Sequence, residues 1–159
     1  MNTLKEIALF EGKEIRKVWY KEKWYFSIID IVEVLSKSDR PRKYWDDLKR
    51  KLIEEGSEVS EKIGQLKMQA TDGKMRDTDV GDKETILRLV QSIPSPNAEP
   101  FKIWLARVGA ERIEEIQDPE LAMDRAKSIY EKKGYPKDWK VRLVEKLLQV
   151  KITRTKFYL

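Results

Sequence analysis

Arg42, Lys43, Lys49 and Arg50 are the residues whose type and spacing point most directly to a chemistry, and that chemistry is the binding of phosphate. On a helix, Tyr44, Trp45, Leu48 and Leu52 share one side, Lys43 and Arg50 fall opposite, and Arg42 and Lys49 lie on the flanks. Cations projecting from a helix that is anchored by aromatic and aliphatic residues can neutralise backbone phosphates or reach base edges. A solvated basic face is the competing reading. Asp39, Asp46 and Asp47 interrupt this surface and are read as helix caps or as carboxylates orienting the neighbouring arginines. Lys21 and Lys23 form a second basic group within a run of aromatics, Trp19, Tyr20, Trp24, Tyr25 and Phe26, that could stack on unpaired bases. Strand alternation turns only some of these rings outward, and Trp24 and Phe26 are read as core cover, leaving Lys21 and Lys23 as the DNA contacts.

Other chemistries find less support. The 159 residues include no cysteine and no histidine, which removes the thiolate nucleophile, the usual neutral-pH base and the commonest zinc ligand. Asp72, Asp77, Asp79 and Asp82 invite a hard cation, but a turn at Asp72-Gly73 and a helix cap near Asp79 or Asp82 account for them without a metal. The pairs Glu54-Glu55 and Glu114-Glu115 point about 100° apart on a helix and do not converge on one cleft. With no Gly-rich phosphate loop, no catalytic residue, cofactor or metal is assigned, and a metal-dependent nuclease stays as the weaker alternative.

The net charge of +5 is a weak pointer to a polyanion, but its placement is uneven. Residues 37–51 hold 7 basic and 3 acidic side chains, and residues 137–159 hold 7 and 2. No apolar run has the length of a membrane span or a signal-peptide core, so a cytoplasmic protein with no membrane partner is expected.

The elements that must carry these side chains follow from periodicity and punctuation. Residues 15–26 predict a hairpin around Lys21-Glu22-Lys23, with a turn of uncertain type because it lacks glycine. Ser27 and Asp30 then cap a short helix through Ile28, Ile31, Val32 and Leu35; after a break at residues 36–39, Pro41 opens the basic helix. Two such helices are compatible with a helix-turn-helix. Residues 56–64 read as polar connection, and Asp72-Gly73 as the turn of a second hairpin. Helices follow over 82–92, over a stretch from Phe101 and Trp104 to Ile116, and from Asp118-Pro119 to about residue 132. A last amphipathic segment uses Trp139, Leu143, Leu147 and Leu148, and residues 150–159 read as a strand or a frayed end. The fold class is α+β: small antiparallel hairpins with a helix-turn-helix-like N-terminal part and packed C-terminal helices.

Two stretches together resemble a known family. Val18-Trp-Tyr-Lys-Glu-Lys-Trp-Tyr-Phe-Ser-Ile-Ile-Asp-Ile-Val-Glu-Val-Leu35, followed by Arg42-Lys-Tyr-Trp45 and Leu48-Lys-Arg50, is similar to the N-terminal domain of Bro-family proteins. Ala70-Thr-Asp-Gly-Lys-Met-Arg-Asp-Thr-Asp79 and Gln91-Ser-Ile-Pro-Ser-Pro-Asn-Ala-Glu-Pro-Phe-Lys-Ile-Trp-Leu-Ala-Arg-Val-Gly109 resemble its prokaryotic, phage antirepressor-like branch. The resemblance spans roughly residues 8–138. It implies a DNA-binding domain with a regulatory or antirepressor role and no cofactor. It marks Trp24, Phe26, Asp30, Tyr44, Trp45, Phe101 and Trp104 as a mostly architectural frame, with Asp30 read as a capping group. The sequence departs from the family pattern after Trp139, which bears on partner binding and oligomerisation. Residues 1–116 are thus expected to be the DNA-binding domain and 117–159 a helical extension. The main alternative is a protein-interaction module that binds a repressor or self-associates.

Overall fold

A computed structural model describes residues 15–135, 138, 141, 142, 144–146, 148 and 149. Trp139, Leu143, Leu147 and the 150–159 tail lie outside them. The chain divides into two compact units, residues 1–106 and 107–159. The first is α+β.

The aromatic and β-branched run makes the first hairpin, β1 (Lys17–Tyr20) and β2 (Lys23–Ser27), in the register Trp19↔Trp24 and Tyr20↔Lys23. Its two-residue turn places both Lys21 (φ 46) and Glu22 (φ 65) in the left-handed region, the pattern of a type I′ turn made without glycine. The second hairpin, β3 (Gly64–Gln69) and β4 (Met75–Gly81), closes through Gly73 at φ 80, whose amide donates to the Ala70 carbonyl. The two hairpins join through Phe26↔Gly81 and Ser27↔Val80 into one antiparallel sheet of order β1-β2-β4-β3.

Ser27 ends β2 and caps α1 (Ile28–Ser36), its hydroxyl accepting from the Asp30 amide. Lys37, in the left-handed region, ends α1, and Pro41 occupies the first turn of α2 (Pro41–Glu54). These consecutive helices pack on each other and form the helix-turn-helix-like part. Residues 56–64 are more than a connection: Ser57 caps a one-turn helix, α3 (Glu58–Glu61), too short to show a hydrophobic period. Asp82 caps α4 (Lys83–Val90), a 3-10 turn forms over Pro96–Ala98, and α5 (Glu99–Gln117) follows. Asp118 and Pro119 open α6 (Pro119–Lys132), and Gly134 at φ 71 follows it.

The main core lies between the sheet and α1, α2 and α4, with Phe26, Ile31, Leu35, Trp45, Leu89 and Phe101 in one buried cluster. Tyr44 and Trp104 pack against it from partly exposed positions. Met68 and Val80 are buried but outside that cluster; strand alternation sends them to the other face of the sheet, which curls. At Gly81 the backbone runs close to α4. A Cβ there would sit 3.0 Å from Thr85 Cγ2, so glycine lets the sheet and helix meet.

Candidate nucleic-acid interface

The first turn of α2 gathers cations. Pro41 supplies no amide hydrogen, and the capping position, Arg40, makes no side-chain capping bond. No acid lies in this turn, and the amides of Arg42 and Lys43 have no intrahelical acceptor. Arg40, Arg42 and Lys43 are all exposed, and none of the three makes an ion pair among the described residues. Amide donors, the positive end of a helix dipole and three exposed cations are therefore gathered at one helix end, a combination suited to phosphate.

Further along α2 the structure departs from the sequence reading. Lys49 does not project outward: its Nζ lies 3.0 Å from Asp79 Oδ2 on β4. The same carboxylate oxygen accepts Trp45 Nε1 at 2.8 Å, and Asp79 Oδ1 accepts Gln65 Nε2 at 3.1 Å. Lys49, read from the sequence as a DNA contact, is thus engaged within the fold. Arg50 remains exposed but bonds Asp47 at 3.3 Å on the same helix. Asp47 thus orients an arginine, while among the described residues neither Asp39 nor Asp46 caps α2.

The hairpin tip is a second surface. Lys21 sits 5.3 Å from the Tyr20 ring centroid, and Lys23 lies 3.5 Å from Asp82. Trp24, expected to cover the core, is 41 % exposed, because the core ends two residue pairs inward at Phe26. It meets the exposed Trp19 edge-on, with ring centroids 5.3 Å apart, and Lys17 Nζ lies 4.2 Å from its centroid. Both indoles line an open cleft of about 340 Å3 whose rim carries Glu22, Lys23, Asp82, Lys83 and Glu84. Its mixed charge suits a protein side chain as well as a base.

Asp30 is not a capping group. Its carboxylate accepts the Arg16 amide, Nε and Nη2, each at 2.9 Å. Arg16 also donates to the Gln69 carbonyl at 3.1 Å and to Ser27 Oγ at 3.3 Å, tying the residue just ahead of β1, the start of α1 and the end of β3 together. Asp30 accordingly holds Arg16 as a guanidinium, against the opposing effect of burial.

Asp79 gives a pH prediction. Burial pushes its carboxyl up, but bonds from Trp45, Gln65 and Lys49 and the Lys49 charge outweigh this and hold it below the ordinary carboxylate value. A depressed carboxyl contributes stability that is complete above its unfolded pKa and is lost as pH falls through the folded one. Asp79→Asn should therefore lower stability at neutral pH by roughly 1–2 kcal/mol and flatten the fall in stability below about pH 4. Urea unfolding across that acid range checks it; an unchanged acid slope would remove Asp79 from acid unfolding. Asp82, held low by its bond with Thr85, retains part of the slope.

Among the described residues, no group of three or more His, Cys, Asp or Glu side chains could hold a metal, and no helix is long and apolar enough to cross a membrane. Residues 14–112 match the model of the BRO family N-terminal domain. No curated protein and no solved structure is significantly similar to the chain.

Proposed function

The chain belongs to the BRO family, and from that premise we propose that it is a DNA-binding regulator of the antirepressor kind that acts by binding and performs no catalysis. Residues 1–116 form the DNA-binding domain in this reading, and residues 117–159 a helical extension. The observation that carries it is the first turn of α2, where Arg40, Arg42 and Lys43 surround an N-terminus without a side-chain cap. That end of the second helix faces DNA in helix-turn-helix docking. Lys21 and Lys23 at the hairpin tip are auxiliary phosphate contacts, and Arg50 can exchange its exposed partner Asp47 for phosphate because such pairs contribute little.

Phosphate contacts release counterions, so affinity for duplex DNA should fall steeply with salt. A binding screen over a random duplex library at two salt concentrations tests both sequence readout and charge attraction. Failure to retain any duplex at the lower salt would refute DNA binding.

A second reading, a module that binds a repressor protein, is favoured by the exposed Trp19 and Trp24 pair beside charges of both signs. Salt-insensitive association with a protein that quenches these indoles, without duplex binding, would support it.

A further inference from the structure

The turn between α1 and α2 relies on a distant segment for its shape. Lys37 holds the left-handed region there at φ 51, a conformation that L-residues disfavour and that persists where surrounding contacts over-determine it. The turn also leaves the Ser36 carbonyl, at the C-terminal end of α1, without a helical partner. The donor for it comes from 61 residues away. Asn97 Nδ2 donates to the Ser36 carbonyl at 3.1 Å, and Ser95 Oγ lies 3.5 Å from the same oxygen. From Ser36, two hydroxyls carry the path to the start of α2. Ser36 Oγ accepts the Ser38 amide at 3.2 Å, Ser38 Oγ accepts the Arg40 amide at 3.1 Å, and the Arg40 carbonyl accepts the Tyr44 amide at 3.0 Å. The path thus ends where Arg40, Arg42 and Lys43 are gathered.

The backbone that carries Asn97 is itself anchored. Ile93, Ala98 and Phe101 are at most 1 % exposed, and Pro94 and Pro96 limit the chain between them. Ser95 Oγ accepts the Asn97 amide at 3.3 Å, Lys102 Nζ donates to the Ile93 carbonyl at 2.8 Å, and the 3-10 turn packs on α1. Asn97, by contrast, is exposed, so its carboxamide fills no core space, and holding the Ser36 carbonyl is the role its geometry provides.

We propose that Asn97 is a positioning residue for DNA binding, which by fixing the Ser36 carbonyl sets the α1–α2 turn and so presents Arg40, Arg42 and Lys43 to phosphate. This rests on the DNA-binding reading above and adds to it a residue outside both helices. A turn already ordered in the free protein raises affinity, because its ordering is not charged to the complex.

Asn97→Ala should weaken binding of the full chain to labelled duplex about fivefold, the size of one net hydrogen bond. Its urea midpoint should stay closer to wild type than that of Lys49→Ala. That variant is the structural comparison: it loosens α2 from β4 and leaves affinity nearly intact, as Asn97→Ala would if Asn97 only stabilised the fold. In the free protein, Asn97→Ala should speed amide exchange at Arg40 and Tyr44 about fivefold, a readout that needs no DNA. Ser38→Ala breaks the next link and should weaken duplex binding too. Combining it with Asn97→Ala should cost less than the product of the two effects, because both act on one turn. A wild type that binds no duplex would sink the DNA-binding reading and this proposal together. With wild-type binding intact, undiminished affinity in Asn97→Ala, or exchange at Arg40 and Tyr44 as slow as in wild type, would overturn this proposal alone.

Discussion

Asp30→Ala should lower the stability of the protein by about 2–3 kcal/mol. The side chain is small and lies at the edge of the core, but its carboxylate receives three donors from Arg16 at 2.9 Å and is only 14 % exposed. Removing it strands the Arg16 amide and part of a guanidinium, with only the Gln69 carbonyl and Ser27 hydroxyl remaining. Arg16 is itself one-third exposed, so water compensates in part and the loss stays below that for a fully buried pair. Asp77→Ala is the control: its pair with Lys67 has both side chains more than 60 % exposed and should be worth less than about 1 kcal/mol. Urea unfolding followed by tryptophan fluorescence compares them, and equal losses for the two variants would show that Asp30 is not a structural node.

On duplex DNA, the largest effect should come from Arg42→Ala with Lys43→Ala. Loss of two cations at an N-terminus whose amides also face the ligand should cost ~1–3 kcal/mol per side chain and make the salt dependence shallower by about 2 in the logarithmic slope. Stability should change little, because both side chains are exposed and neither is ion-paired among the described residues. Lys49→Ala should do the reverse, weakening the fold through Asp79 while leaving intrinsic affinity nearly intact. Titration of the folded variants against labelled duplex at several salt concentrations separates the cases. Wild-type affinity in the double variant would eliminate the start of α2 as the docking end.

What could be read from residue order alone were the local devices. Ser27, Pro41, Asp72-Gly73 and Asp118-Pro119 act within a turn or two of themselves, so sequence carries their signal, and the resulting elements agree with the α+β class. Contacts between distant segments left no such trace. Lys49 and Trp45 meet Asp79 from 30 and 34 residues away, and nothing in the helical period of α2 distinguishes an inward lysine from a solvated one. The capping pattern Ser27-x-x-Asp30 was half right for the same reason: the hydroxyl makes a local bond, whereas the carboxylate is taken by an arginine 14 residues earlier. Trp24 shares a face with Phe26 by alternation, and only the position of α4 and β4 decides that the core stops between them.

The turn of the first hairpin has a consequence for how that tip should be manipulated. Lys21 and Glu22 both hold a backbone conformation that costs L-residues about 1–2 kcal/mol each, where Asn-Gly would sit at ease. Side-chain identity and backbone comfort are thus set against each other at one two-residue spot. Grafting Asn-Gly into it should stiffen the loop and raise its melting point while stripping its two charges. One exchange thereby distinguishes what the tip touches from how firmly it is presented.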